Sequence, residues 1–226
     1  MKTRWEKILG GGAAGAAALA AGSLALRPLF MRWGATEEET KRAWPGDELA
    51  PESCSVATRA VTIHAPASAV WPWILQIGQD RGGFYSYTWL ENLFGARIHN
   101  ADQILPCHHP RQVGDTVWMA PPQRYQGKGC MRVARLDEER CMVLVTPEDF
   151  AALSTKGVAP EGTWAFILEP VNQTTTRLIV RSRSGFKAGP LRFLVFDPVH
   201  FIMERKMMLG IRDRVEARPV GLPRAA

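Results

Sequence analysis

Few stretches of this sequence declare a chemistry. It has no G-x-S-x-G, no H-E-x-x-H, no phosphate-cradling glycine loop, and no dinucleotide fingerprint in a strand–turn–helix setting. Those absences remove any sequence warrant for a named reaction, while leaving room for acid–base chemistry in a pocket. Gly10-Gly11-Gly12 follows no strand and so is not a nucleotide loop. The four cysteines, Cys54, Cys107, Cys130 and Cys141, form neither a C-x-x-C nor a zinc-like spacing. Cys130 and Cys141 can face each other only if their segments pair as a hairpin. Aromatic residues make up only 9% of the chain, and tyrosines number three. Beyond the N-terminus there is no internal repeat and no low-complexity segment.

A formal charge of +6 could suit nucleic acid or anionic lipid, but after residue 35 the cations are scattered and mixed with acids. That distribution reads as a solvated basic surface rather than a nucleic-acid face. With 226 residues, 46% of them hydrophobic, the chain can bury one sizeable core. The expected organisation is an N-terminal membrane anchor or signal segment over 1–34, a linker over 35–53, one domain over 54–218, and a disordered tail over 219–226.

Lys2, Arg4 and Lys7 precede an uncharged run from Ile8 to Leu26. At 1.5 Å per residue the run comes to about 28 Å, close to the thickness of a bilayer core. Alanine and glycine dominate it, which weakens its transfer free energy relative to a leucine-rich span. Three readings compete. One is an uncleaved anchor, the leading expectation, with the membrane as partner through 8–26. The others are a signal peptide cleaved near Ala18-Leu19-Ala20 or Ser23-Leu24-Ala25, and a soluble helix. Leu29, Phe30 and Trp33 extend the apolar character past Arg27, as residues at a membrane interface would. Thr36 to Glu52, charged and holding Pro45-Gly46 and Pro51, reads as linker.

From Ser55 to Ala65 the chain alternates: Val56, Thr58, Ala60 and Thr62 share one face, and Ala57, Arg59, Val61 and Ile63 the other. This predicts a strand, ended by Pro66. Val70, Trp71, Ile74, Leu75 and Ile77 predict an amphipathic helix to a stop at Gly78, with Pro72 near the first turn. A glycine pair then opens the aromatic block Gly82-Gly83-Phe84-Tyr85-Ser86-Tyr87-Thr88-Trp89-Leu90-Glu91-Asn92, expected as a turn and a short helix to Phe94. Tyrosine and tryptophan bury large areas yet carry a polar tip, so the block suits either a pocket wall or a core plug. Five strands are predicted at 116–120, 129–136, 141–146, 162–170 and 175–184. Their short connections imply an antiparallel meander. A final helix with Ile202, Met203, Met207, Ile211 and Val215 at helical spacing completes an α+β domain in which a curved antiparallel sheet grips the C-terminal helix.

Ile63-His64-Ala65-Pro66-Ala67-Ser68-Ala69-Val70-Trp71 followed by Trp73-Ile74-Leu75 resembles the first strand and helix of the SRPBCC superfamily, the helix-grip or START-like fold. The aromatic block paired with His200-Phe201-Ile202-Met203-Glu204-Arg205-Lys206-Met207-Met208 resembles one bacterial branch of it, often preceded by a membrane segment. The resemblance covers about Ser55 to Glu216. It implies polyketide cyclases, lipid carriers and regulatory domains as relatives, and it brings no activity over.

Candidate ligand contacts are Trp73, Phe84, Tyr85, Tyr87, Trp89, Trp164, Phe166, Arg181, His200, Met203 and Met207. Candidate acid–base groups are His200, Glu204, Tyr85 and Tyr87. His200 and Glu204 are four apart, so they share a helix face. Arg177, Arg181 and Arg183 share a strand face that is either solvated or, at Arg181 or Arg183, turned to a ligand carboxylate. His99 with Asp102, and Cys107-His108-His109, are weak metal candidates flanked by loop residues, and no metal or cofactor is expected. The leading expectation is binding of a hydrophobic small molecule or lipid between sheet and helix, tethered to a membrane. The alternative is a cyclase- or dehydratase-like enzyme using the same cavity, and a third is an interaction module with a filled core.

Overall fold

The computed structural model describes residues 22, 25–106, 110–185, 189 and 196–217. The uncharged run over 8–26 and the tail over 219–226 therefore lie largely or wholly outside the described residues. Among those residues, no helix is long and apolar enough to cross a membrane.

Residues 25–31 are helical. In chain order there follow α1 (Glu37–Lys41), β1 (Ser55–Ile63), α2 (Ala67–Leu75), α3 (Thr88–Leu93), β2 (Thr116–Trp118), a 3₁₀ turn (Arg124–Gly127), β3 (Cys130–Asp137), β4 (Cys141–Val145), α4 (Pro147–Lys156), β5 (Gly162–Asn172), β6 (Thr175–Ser184) and α5 (Asp197–Glu216). The six strands form one antiparallel sheet in the order β1-β6-β5-β4-β3-β2. Strands β2 to β6 are the expected meander, and β1 closes on β6. This is the α+β architecture expected, with α5 against the inner face.

Alternation decides the two faces. Val61, Ile63, Val133, Met142, Leu144, Phe166, Leu168, Leu178 and Val180 point inward to Trp73, Ile74, Met207, Met208 and Ile211 in the main core. Ala60, Cys141, Val143, Ala165, Ile167 and Ile179 point outward.

The outer face is covered by the stretch expected to be a linker. Thr36 accepts from the Glu39 amide and Glu39 returns the bond, a capping box that starts α1. Trp44 then packs on the outer cluster at 4% exposure, with Ala35 and Leu49 beside it. The arginine row on β6 is what holds this strap. Arg177 pairs with Glu39 at 2.8 Å, Arg181 with Asp47 at 2.8 Å, and Arg183 with the same Asp47 oxygen at 3.1 Å. The linker expectation is corrected: charge marked these residues as solvated, but Glu39, Arg42, Asp47 and Glu48 each have a partner on the sheet.

Other boundaries shift for local reasons. α2 starts at Ala67 and ends at Leu75, so Pro72 sits in its interior rather than its first turn. Arg111 terminates it, donating to the Leu75 carbonyl at 2.7 Å and also to the Ile77 carbonyl. This guanidinium is 3% exposed, and burial pulls its pKa down to about 10. Helix α4 has no counterpart among the expected elements. It buries no residue fully, although Thr146 caps it and Gly157 closes it at φ 64. Cys141 lies opposite Asp137, and Cys130 at the far end of β3 lies opposite Trp118, so the hairpin forms without bringing these two cysteines together. Cys54, Cys130 and Cys141 are free thiols.

Candidate functional site

Arg59 stands on the inward face of β1, in a row otherwise built of Ala57, Val61 and Ile63. At 1% exposure its guanidinium has lost its water, and its hydrogen bonds go to three places. It pairs with Glu204 of α5, itself 3% exposed. It donates through Nε to the Phe30 carbonyl at 2.7 Å, and Nη1 lies 3.4 Å from His200 Nδ1. The other Glu204 oxygen accepts from the Trp164 indole at 2.8 Å, and His200 Nε2 lies 3.8 Å from it. One buried ion pair thus ties together the edge strand, the sheet's central tryptophan, the closing helix and the segment that follows the uncharged run.

Aromatic rings surround this pair. Trp164 stacks with Phe84 at 6.3 Å and packs on Phe166 at 4.7 Å, and His200 stacks on Phe196 at 5.5 Å. Ser182, in register with Ala57 and Trp164, has a buried hydroxyl oxygen with no hydrogen-bond partner among the described residues. Of the residues expected at the site, Phe84, Trp164, Phe166, His200 and Glu204 therefore converge. Met203 joins them through its carbonyl, which accepts from Ser86 at 2.9 Å.

Trp73, Tyr85 and Met207 lie deeper, each at 2% exposure or less, and with Phe166 they fill the space between sheet and α5 at that level. Tyr85 donates its hydroxyl to the Trp73 carbonyl at 3.0 Å, and burial pushes its phenol well above the usual range. Its backbone is held by Asn100, whose Oδ1 accepts from the Phe84 and Tyr85 amides at 3.1 and 2.7 Å. Gly83, at φ 76, is required there: a Cβ would stand 2.6 Å from that same oxygen. The aromatic block is therefore plug at Tyr85 and wall at Phe84. Tyr87 and Trp89 lie toward solvent, Trp89 at 67% exposure.

Arg181 is a correction. The expectation had it meeting a ligand, but its guanidinium lies on the opposite face of the sheet from α5, bound to Asp47 and to the Thr58 hydroxyl at 2.5 Å. Asp102 pairs with Arg214 at 2.8 Å, and no group of His, Cys, Asp and Glu among the described residues is arranged to hold a metal ion. The Cys107-His108-His109 candidate lies outside the described residues.

One open space sits beside α5. A cleft of about 430 Å³ is lined by Leu29, Phe30, Trp33, Ala35 and Phe201, with Arg32 and Glu37 as its charged members. Phe30 stacks on Phe201 at 5.0 Å and Trp33 meets it edge-on at 6.3 Å. The Trp33 carbonyl accepts from the Ala60 amide at 3.0 Å, so this segment also covers the free edge of β1.

Sequence reasoning missed Arg59 and Glu91. The first was legible as the one charge in an inward-facing row. Glu91 lies within the aromatic block, and at 9% exposure its Oε2 has no hydrogen-bond partner among the described residues. Burial raises its pKa to about 7.

No family model matches the chain, and no curated protein matches it. Solved structures do. The Aha1 dimer from Colwellia psychrerythraea is 14% identical with a TM-score of 0.42, the match covering 72% of this chain and 96% of that one. The di-domain ARO/CYC BexL from the BE-7585A biosynthetic pathway is 16% identical with a TM-score of 0.39, covering 72% and 46%. A norcoclaurine synthase point mutant from Thalictrum is 15% identical with a TM-score of 0.35, covering 71% and 93%. Similarity at this level brings no activity, ligand or partner to the present chain.

Proposed function

We propose that this protein is a membrane-tethered member of the SRPBCC superfamily that binds an apolar small molecule or lipid. The observation that supports the reading is the apolar cleft of about 430 Å³ between the 25–35 segment and Phe201, a volume typical of small-molecule sites. Its wall is formed by the residues that follow the uncharged run, so a tether through that run would hold the cleft at the surface from which apolar cargo is drawn. The Arg59–Glu204 pair beneath it fixes Phe30 and α5 together and keeps the wall in place.

The cyclase-like reading has less to work with. Both oxygens of Glu204 are taken, by Arg59 and Trp164, and the Tyr85 hydroxyl is committed to Trp73. Proton transfer at this end of α5 would rest on His200.

The test is uptake of an uncharged naphthylamine dye by delipidated full-length protein, with native mass spectrometry of the protein as purified. Saturable binding that weakens about tenfold or more in Leu29→Glu is expected, because a charge in an apolar cleft must be desolvated by the ligand. Leu29 is 55% exposed, so the substitution leaves the core intact. No dye uptake together with no co-purified lipid would remove the proposal.

A further inference from the structure

Three segments stand side by side on one face of the molecule. On one flank of α5, Phe30 and Trp33 pack on Phe201, and the Arg205 guanidinium lies 5.0 Å over the Trp33 ring. On the other flank, the Ser86 hydroxyl bonds the Met203 carbonyl, and Lys206 Nζ lies 5.9 Å over the Tyr87 ring, which contacts Trp89 at 6.5 Å. The first half of α5 therefore runs between the 25–35 segment and the residues Ser86 and Tyr87 that lead into α3.

Each of the three exposes large apolar side chains. Leu29 is 55% exposed, Val199 43%, Ile202 49%, Trp89 67%, Leu93 71% and Phe94 62%. Val113, Tyr125, Val158 and Val171 are exposed elsewhere, but a band of six on adjoining elements marks a surface made to be covered.

Charge identifies the cover. Residues 25–35 contain no acid. The acids of 196–206 are Asp197 and Glu204, both buried and paired, with Arg27 and Arg59. The one acid of 87–97 is Glu91, also buried. Arg32, Arg97 and Arg205 on the same segments are exposed. Exposed apolar and aromatic side chains among cations, with no exposed acid on the three segments and the cleft's Glu37 paired with Lys41 at 2.6 Å, suit the interface of an anionic bilayer. The uncharged run reaches this face directly, since its last residue, Leu26, lies within the helical stretch over 25–31.

We propose that the face formed by residues 25–35, the first half of α5 and α3 lies against an anionic lipid bilayer. The inference rests on the tethered reading above and adds to it an orientation: the apolar cleft opens toward the lipid, and α3 is a second contact far in sequence from the tether. The partner is the lipid surface itself.

The test uses the full chain in phosphatidylcholine vesicles with and without 30% phosphatidylglycerol, part of the lipid being brominated in its acyl chains. The signal owed to Trp89 is the difference between wild type and Trp89→Ser, a substitution at an exposed position. Bromolipid is expected to quench that difference signal at least twofold in the anionic vesicles, and less in phosphatidylcholine alone. A carbonate wash reads the tether separately. If the chain resists the wash but the Trp89 signal is unquenched, the tether holds and the docked face is wrong. If the chain washes off and the signal is unquenched, both fail, whereas quenching in a chain that washes off upholds the face without the tether. Self-association in the absence of lipid that Trp89→Ser/Ile202→Ser abolishes, with no quenching, would assign the face to a second copy and overturn the proposal.

Discussion

Arg59 of β1 and Glu204 of α5 form an ion pair buried at 1% and 3% exposure, 145 residues apart in sequence. It is the polar joint of an otherwise apolar contact. Such a pair is expensive to desolvate, and its value lies in fixing register: α5 has long apolar faces on which it could slide, but only one position of Glu204 meets both Arg59 and Trp164.

Removing one partner leaves the other charged and buried. Glu204→Ala is therefore expected to cost about 3–5 kcal/mol in chemical denaturation, while the paired replacement Arg59→Met/Glu204→Leu should cost much less or nothing. A double-mutant cycle measures the coupling. Near-additive single effects would show that the pair does not act as a unit.

How much of this was readable in advance depended on whether a signal was local. The sheet, α2, α3 and α5 are written in period-two and helical spacings, and they appear where those spacings put them, within a few residues. His200 and Glu204 could be put on one face by arithmetic alone. The strap over 36–53 could not be read that way, because Glu39 and Asp47 are satisfied by Arg177, Arg181 and Arg183 more than a hundred residues later, and a charge run looks the same whether its partners are protein or water. The outer face of the sheet was equally hidden: Arg181 looks like a ligand arginine until Asp47 is seen beside it. Whether the aromatic block was plug or wall turned on which way each ring points, and Phe84 and Tyr85 differ in that respect although they are adjacent.

Gly210 lets α5 approach the block. A Cβ there would stand 2.4 Å from the Tyr85 carbonyl oxygen, a backbone atom that cannot swing away. Alanine is the better helix former by about 1 kcal/mol. The clash should outweigh that gain, so Gly210→Ala is expected to destabilise by about 1–3 kcal/mol. A thermal melt that rises instead would show that α5 can move off the block at little cost.

Asp47 is the rivet of the strap. It binds Arg181 and Arg183 through one oxygen, and its other oxygen accepts from the Trp44 amide at 3.1 Å. Asp47→Ala should leave the nearly buried Arg181 uncompensated, at a cost of about 3 kcal/mol, and should release 36–53 as a unit. Limited proteolysis reads this directly: cleavage within 36–53 is expected to accelerate severalfold while the sheet stays intact. Unchanged cleavage would mean that Trp44 packing alone holds the strap.

Glu91 gives the fold a pH dependence whose sign follows from burial. Its pKa rises from 4.5 to about 7 because burial disfavours the charged form, and no cation among the described residues compensates it. The folded state therefore holds this proton more tightly than the unfolded chain does. Stability contributed by the protonated group is complete below about 4.5, declines as pH rises, and is lost once pH passes about 7. Glu91→Gln keeps the shape and removes the titration. Its melting temperature relative to wild type should be nearly level at pH 4.5 and should climb by several degrees toward pH 8, since a chain of this size shifts by about 2–4 °C per kcal/mol. The slope is the readout, because any fixed effect of the amide cancels in it. A parallel pair of melting curves across that window would show that Glu91 is solvated. Because α3 carries Trp89, Leu93 and Phe94 on its exposed side, the same ionisation should loosen the seating of α3 above neutral pH, and amide exchange over 88–94 should quicken there in wild type but not in Glu91→Gln.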